Sequence, residues 1–123
     1  MNHIHMIMKA KSDILDQPIE LYEDWIKSLV SDLNMKLLNT TQGFNPVSAV
    51  CDTRDNEGIT IAALIETSHI VLHTWHLKGE LQLDVYTCGV FDKKTIENAL
   101  DELGAFNRKM RIFDRKYDLI EMD

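Results

Sequence analysis

The fold is decided by residues 59–75, which read ITIAALIETSHIVLHTW. Two apolar stretches of strand length, residues 59–65 and 69–75, flank a short polar segment. Apolar runs of this length that are rich in β-branched and aromatic residues are typical of strands buried in a sheet. The stretch therefore predicts two strands of one sheet.

Further strands are predicted on both sides of this stretch, because apolar and polar residues alternate there. These strands lie at residues 3–9, 47–51, 81–88 and 109–115. Polar turns separate them, and the clearest is residues 52–58, which contain Asp, Asn and Gly.

Two amphipathic helices complete the pattern. The first is predicted to begin after Asp16 and Pro18 and to end near Leu38, and the second is capped by Asp92 and ended by Gly104. The order strand, helix, several strands, helix, strand predicts an α/β fold, a two-layer α/β sandwich in which a mainly antiparallel sheet carries two helices on one face. The other sheet face then needs a cover, and a partner subunit is the simplest candidate.

Composition narrows the class of protein. A chain of 123 residues with 45% hydrophobic residues suits one domain, predicted over residues 1–123. The net charge of -7 argues against a nucleic-acid partner, because such binding depends on Lys and Arg. No apolar segment predicts a membrane span or a signal peptide. Cys51 and Cys88 are then expected to be reduced thiols of a cytoplasmic protein.

Reactive side chains concentrate in residues 66–75, ETSHIVLHTW, and residues 84–89, DVYTCG. These segments resemble the signature of the prokaryotic S-adenosylmethionine decarboxylases, approximately Glu-Ser-His, three residues, His-Thr-Trp, and then Asp-Val-Phe-Thr-Cys-Gly. The spacing is similar too, because His73 and Cys88 lie five and twenty residues after Ser68. Upstream, residues 58–60, GIT, resemble the family's Gly-Val-Ser/Thr element.

The resemblance implies an enzyme that makes its own pyruvoyl cofactor by cleaving its chain. Ser68 would attack the carbonyl of Thr67, and an N-to-O acyl shift followed by β-elimination would cut the chain between them. The pyruvoyl group left in place of Ser68 would form a Schiff base with the substrate. The family pattern makes His73 the base of the elimination, Thr60 its supporting hydroxyl, and Cys88 the acid that reprotonates the substrate carbon.

The implied substrate is S-adenosylmethionine, decarboxylated for spermidine biosynthesis, and the implied assembly is a homodimer with its active sites near the interface. Candidate substrate-binding residues are Glu66, Trp75 and Tyr86. Aromatic faces attract a sulfonium ion through cation-π contacts of about 0.5–2 kcal/mol.

Two departures from the family pattern leave alternatives open. Thr67 stands where the family has Glu, and its branched side chain crowds the carbonyl that Ser68 attacks. After Trp75 the family's Pro-Glu is replaced by residues 76–77, His-Leu. The alternatives are a pyruvoyl decarboxylase of ornithine or arginine, and an unprocessed homologue that binds ligand or pairs with an active partner. The form IETSH is similar to that of short, divergent members from bacterial viruses.

Histidine spacing raises two structural questions. His69, His73 and His76 could be zinc ligands with Cys88, but on a strand His76 lies on the opposite face from the other two, so we expect no metal. Alternation also places Ser68 and His73 on opposite faces of one strand, so we expect a bend near residues 67–70.

Overall fold

Alternating apolar side chains build a six-stranded antiparallel sheet backed by two helices. The computed structural model describes residues 2–122, so Met1 and Asp123 of the predicted domain lie outside the described residues. In chain order the elements are β1 (Ile4–Lys11), α1 (Ile19–Asp32), β2 (Val47–Cys51), β3 (Gly58–Ile65), β4 (Ser68–Trp75), β5 (Glu80–Thr87), α2 (Lys93–Glu102) and β6 (Phe106–Asp114).

The order of strands across the sheet is β2-β3-β4-β5-β1-β6. Every paired neighbour is antiparallel. The β3–β4 hairpin supplies the register on which the core depends, because direct partners in a sheet point to the same face. Ile61 lies opposite Leu72, and Ala63 lies opposite Ile70. All four side chains are buried, so this face of the sheet is the core face.

Both helices cover the core face, which confirms the predicted two-layer α/β sandwich. Trp25 of α1 is buried and donates a hydrogen bond from Nε1 to the Ala99 carbonyl of α2, at 2.8 Å. Burial of an apolar side chain of this size stabilises the fold by about 1.5–3 kcal/mol. The helices contribute eight buried side chains: Tyr22, Trp25, Ile26, Leu29, Val30, Ile96, Ala99 and Leu100.

The second face of the sheet, here called the open face, carries polar and titratable side chains. No helix covers it within residues 2–122. It also exposes apolar side chains, since Ile7, Val47 and Leu64 are each between 44% and 51% exposed. Strand register places six functional side chains on this face: His5, Thr60, His69, His73, Asp84 and Tyr86.

The prediction that α1 ends near Leu38 is wrong, because the helix ends at Asp32. Asn34 adopts a φ of 58°, and the Met35 N–H donates to the Val30 carbonyl at 3.0 Å, as in a left-handed helix cap. Leu37 then pairs with Ile65 at the end of β3. Its apolar character therefore reflects contact with the sheet and does not continue the helix.

The second helix has the predicted ends. Asp92 accepts a hydrogen bond from the Thr95 N–H at 3.2 Å, and Gly104 follows the helix with a φ of 66°. The final strand begins at Phe106, three residues before its predicted start. Among the described residues, no helix combines the length and apolarity that crossing a membrane requires.

Gly58 gives a test of the β3–β4 register. A Cβ at this position would lie 1.7 Å from the Thr74 carbonyl oxygen, so any side chain forces the two strands apart. We expect Gly58→Ala to lower the free energy of unfolding by about 3 kcal/mol in chemical denaturation. The matched control is Gly89→Ala, whose Cβ would meet no atom closer than 3.5 Å. Equal stabilities of the two variants would contradict the close approach.

Candidate active site

A strained two-residue turn joins β3 to β4. Ile65 and Ser68 are direct partners, so Glu66 and Thr67 alone connect the strands. Thr67 has a φ of 52°, in the left-handed region that β-branched residues rarely adopt. Such a conformation costs on the order of 1–3 kcal/mol. The strain therefore lies at the residue whose carbonyl precedes Ser68.

Cys88 contacts both sides of the peptide bond between Thr67 and Ser68. Its backbone N–H donates to the Ser68 Oγ at 3.1 Å, and its thiol donates to the Thr67 carbonyl oxygen at 3.1 Å. A donor placed on a carbonyl oxygen stabilises negative charge that develops there during nucleophilic attack. This arrangement suits attack of a hydroxyl on that carbonyl.

A groove of about 660 Å³ opens beside this peptide bond. Its volume is within the range of small-molecule sites. One wall is the connection that follows α1, and the other is formed by the β3–β4 turn and the end of β5. The lining residues are Asn34, Met35, Lys36, Leu37, Leu38, Asn39, Ile65, Glu66, Thr67, Ser68, Cys88 and Gly89.

Tyr86 extends the cluster from the groove onto the open face. Its hydroxyl lies 3.3 Å from the Cys88 Sγ and 2.8 Å from the His3 Nδ1. The hydrogen bond with Cys88 is the largest cause that raises the pKa of Tyr86. Partial desolvation and the negative charge of the Cys88 thiolate raise it further. Arg115 opposes this effect, since its guanidinium lies 4.1 Å from the centre of the Tyr86 ring.

Asp84 joins two histidines beside this cluster. Its Oδ1 lies 2.8 Å from the His5 Nε2 and 3.0 Å from the His69 Nε2. Arg115 donates to the His5 Nδ1 at 3.1 Å, which leaves the ring proton of neutral His5 on Nε2, where it donates to Asp84. The three residues therefore form a hydrogen-bond network, and their ligand atoms all lie within 4.8 Å of one another.

His73 lies in a different part of the sheet. Its Nδ1 is 2.9 Å from the Thr60 Oγ1, and its ring stacks on Trp75 with centroids 6.0 Å apart. Trp75 donates from Nε1 to the Asn56 Oδ1 at 3.0 Å. Thr60, His73 and Trp75 form the group that we call the His73 group. The Ser68 group consists of Thr67, Ser68, Tyr86 and Cys88.

The two groups do not meet within one chain. The chain turns at Glu66 and Thr67, before Ser68, so the expected bend does not bring Ser68 and His73 to one face. They remain in the same strand on opposite faces, five residues apart, or about 16 Å along the strand. The roles assigned to both residues stay predictions.

The histidines weighed as zinc ligands have separate partners. His69 contacts Asp84, His73 contacts Thr60, and His76 lies 3.8 Å from a Glu57 carboxylate oxygen. His3 and His5 are the site residues that the sequence interpretation missed. Their signal is the alternation around β1, where Ile4, Met6 and Met8 occupy even positions and the histidines occupy odd ones, so that His5 belongs to the open face.

Comparison with known proteins finds similar sequences and a similar fold. Residues 3–116 match the S-adenosylmethionine decarboxylase family. The S-adenosylmethionine decarboxylase proenzyme of Synechococcus sp. (strain WH7803) is 31% identical over 104 residues, which cover 80% of this chain and 81% of that protein. The proenzyme of the same name from Prochlorococcus marinus (strain MIT 9313) is 37% identical over 62 residues, which cover 49% of this chain and 50% of that protein.

The fold is similar to the crystal structure of the adenosylmethionine decarboxylase from Aquifex aeolicus VF5. The TM-score is 0.71 at 20% sequence identity, and the match covers 99% of this chain and 95% of that one. At this identity the likeness concerns the fold alone.

The strain at Thr67 can be measured in a chain that cannot cleave. In a Ser68→Ala background, we expect Thr67→Asn to raise the free energy of unfolding by about 1 kcal/mol, because Asn tolerates the left-handed region. Chemical denaturation gives the value. The control is Thr41→Asn at an exposed turn residue without positive φ, where a change within about 0.5 kcal/mol is expected. A loss of stability at Thr67 would contradict the strain.

Proposed function

Because the chain belongs to the S-adenosylmethionine decarboxylase family, we propose that it is a self-processing, pyruvoyl-dependent decarboxylase of S-adenosylmethionine in spermidine biosynthesis. The observation that carries the proposal is the contact of Cys88 with both sides of the Thr67–Ser68 peptide bond. The free thiols of Cys51 and Cys88 suit a cytoplasmic enzyme.

The geometry of the turn supports self-processing. The Ser68 Oγ attacks the Thr67 carbonyl carbon while the Cys88 thiol holds the carbonyl oxygen. The peptide nitrogen takes up a proton and leaves, so that an ester replaces the amide. Loss of the Ser68 α-proton then releases residues 1–67 as a carboxylate, and hydrolysis of the resulting dehydroalanine releases ammonia. Cleavage also removes the backbone strain at Thr67.

The side chains around Ser68 fit a pyruvoyl group, because the Cys88 N–H and thiol supply donors for polar oxygens at this position. Such a group supplies an electron sink for decarboxylation. Cys88 holds a proton at Sγ at the edge of the groove, where it can be given to a substrate carbon. Glu66 lines the same groove and supplies negative charge for a cationic substrate.

Intact mass of the purified protein tests the proposal. We expect two fragments, residues 1–67 and a pyruvoyl-capped fragment of residues 68–123, because the Ser68 hydroxyl and Thr67 carbonyl are held together. Ser68→Ala should remain one chain. Carbon dioxide release should be found with S-adenosylmethionine and not with ornithine or arginine. A wild-type chain that stays intact would refute self-processing. Carbon dioxide release from ornithine or arginine alone would show that S-adenosylmethionine is not the substrate.

We also propose that two copies of the chain pair through their open faces to complete each active site. Ser68 and His73 lie about 16 Å apart along β4, so His73 cannot reach the Ser68 α-proton in its own chain. A second copy supplies a His73 group from outside. The exposed apolar side chains of Ile7, Val47 and Leu64 give such a pairing a hydrophobic contact area.

Co-expression of two inactive chains tests this pairing. A His73→Ala chain keeps Ser68 and lacks the base, whereas a Ser68→Ala chain keeps the base and cannot cleave. We expect each variant alone to stay intact and the His73→Ala chain to be cleaved when both are present, as measured by mass after separate tagging. The control pairs His73→Ala with a double variant, Ser68→Ala and His73→Ala, which should restore nothing. Failure of complementation, or cleavage of His73→Ala alone, would refute the composite site.

A further inference from the structure

Three side chains connect the groove with the start of the chain. His3 precedes β1, and Tyr86 and Cys88 lie at the end of β5 and just beyond it. The two steps, from His3 Nδ1 to Tyr86 Oη and from Tyr86 Oη to Cys88 Sγ, measure 2.8 Å and 3.3 Å. The direct separation of His3 Nδ1 and Cys88 Sγ is 3.9 Å, longer than either step. The tyrosine hydroxyl therefore bridges the imidazole and the thiol.

The hydrogen bonds of His3, Tyr86 and Cys88 can all be donated in the same direction, towards the groove. The Cys88 thiol donates to the Thr67 carbonyl oxygen, so its sulfur is free to accept from Tyr86. The Tyr86 hydroxyl has a single proton, and when it donates to Cys88 its oxygen accepts from His3 Nδ1–H. The sequence of donors then runs from the imidazole to the edge of the groove.

We propose that His3 and Tyr86 form a proton-transfer chain that returns a proton to Cys88 after each turnover. The inference rests on the proposed function, in which Cys88 gives its proton to a substrate carbon. The thiolate then takes the Tyr86 proton, Tyr86 takes the Nδ1 proton of His3, and His3 takes one from solvent. The solvent proton enters at the His3 Nε2, and exchange with water then returns the ring proton to Nδ1, so each group ends as it began.

The chemistry of each member suits its place in the chain. Imidazole exchanges protons with water near neutral pH, so His3 is the member that connects the cluster to solvent. A phenol holds its proton at that pH, so Tyr86 acts as a relay only while both neighbours are in contact with it. The family signature has Phe at this position, so the hydroxyl of Tyr86 is a feature in which this chain differs from it.

Charged and titratable groups from neighbouring strands lie close to Tyr86. Arg115, after β6, lies over the ring and favours a transient phenolate, whereas the carboxylate of Asp114 opposes it. His5 of β1 and His69 of β4 contact the ring with centroids 6.0 Å and 5.8 Å away. Both of these imidazoles are hydrogen-bonded to Asp84, so neither has a hydrogen bond to Tyr86 or Cys88. His3 is accordingly the histidine that forms the chain.

Alkylation of Cys88 tests the coupling without any turnover. In full-length Ser68→Ala protein, the rate of modification of Cys88 by iodoacetamide is measured by peptide mass spectrometry from pH 5 to pH 9. The exposed Cys51 serves as the internal reference. Because the charge of an imidazole changes between about pH 5 and 8 and His3 contacts Cys88 through Tyr86, we expect the rate profile of Cys88 to contain a step in this range.

Two variants change the step if the chain exists. His3→Asn keeps a donor near the Nδ1 position but cannot titrate, so it should remove the step from the Cys88 profile. Tyr86→Phe deletes the bridge and should weaken the step, because His3 Nδ1 remains 3.9 Å from the Cys88 Sγ. The Cys51 profile should be unchanged in both. The matched control is His76→Asn, at the far end of β4, which should retain the step. Identical Cys88 profiles in the parent, Tyr86→Phe and His3→Asn proteins would refute the chain.

Steady-state kinetics separates proton transfer from positioning. In the processed protein, we expect His3→Asn and Tyr86→Phe each to lower kcat about tenfold with KM unchanged. If His3 only positioned Tyr86, His3→Asn would keep the hydrogen bond and the wild-type kcat, which would refute the proposal. Failure of the proposed function has a different signature, because an uncleaved wild-type chain without activity leaves the alkylation result in the Ser68→Ala protein unaffected.

Discussion

The hydrogen-bonded register between β3 and β4 is the constraint on which the rest of the structure depends. Side chains alternate with a period of two along a strand, so one register decides which residues enter the core and which face outward. The pairing of Ile61 with Leu72 directs the apolar positions of both strands towards the helices. The same register sends Thr60 and His73 to the open face as direct partners. One strand register therefore determines both the packing of the core and the position of the reactive side chains.

The short turn between these strands adds a second constraint. Only Glu66 and Thr67 connect Ile65 with Ser68, so the peptide bond before Ser68 is held against the end of β5. There it contacts Cys88, which directly follows β5, the strand paired on the other side of β4. A turn of this length fixes the position of the backbone more firmly than a long loop does. The geometry for attack on the Thr67 carbonyl thus exists before any ligand binds.

Local signals were sufficient for the elements and the core, but contacts between distant segments were not predictable. The cap at Asp92 and the end at Gly104 depend on neighbouring residues, and the sequence interpretation found both. The prediction for the end of α1 failed because Leu37 is apolar where it contacts Ile65, which lies in a strand twenty-eight residues later in the chain. His3 and His5 were missed for a similar reason, since their roles depend on β1 pairing with β5. Alternation assigns a face, but it does not assign the neighbouring strand.

The separation of Ser68 and His73 along one strand has, in the proposed dimer, a consequence for the timing of chain cleavage. When a base must come from a second copy, the rate of chain cleavage depends on the square of the concentration of unpaired chains, as in any association-limited step. A newly synthesised chain stays covalently whole while it folds. In the proposed dimer, the hairpin turn would be cut only after its two strands have formed and the two sheets have paired. Assembly would then protect a newly made chain from premature cleavage.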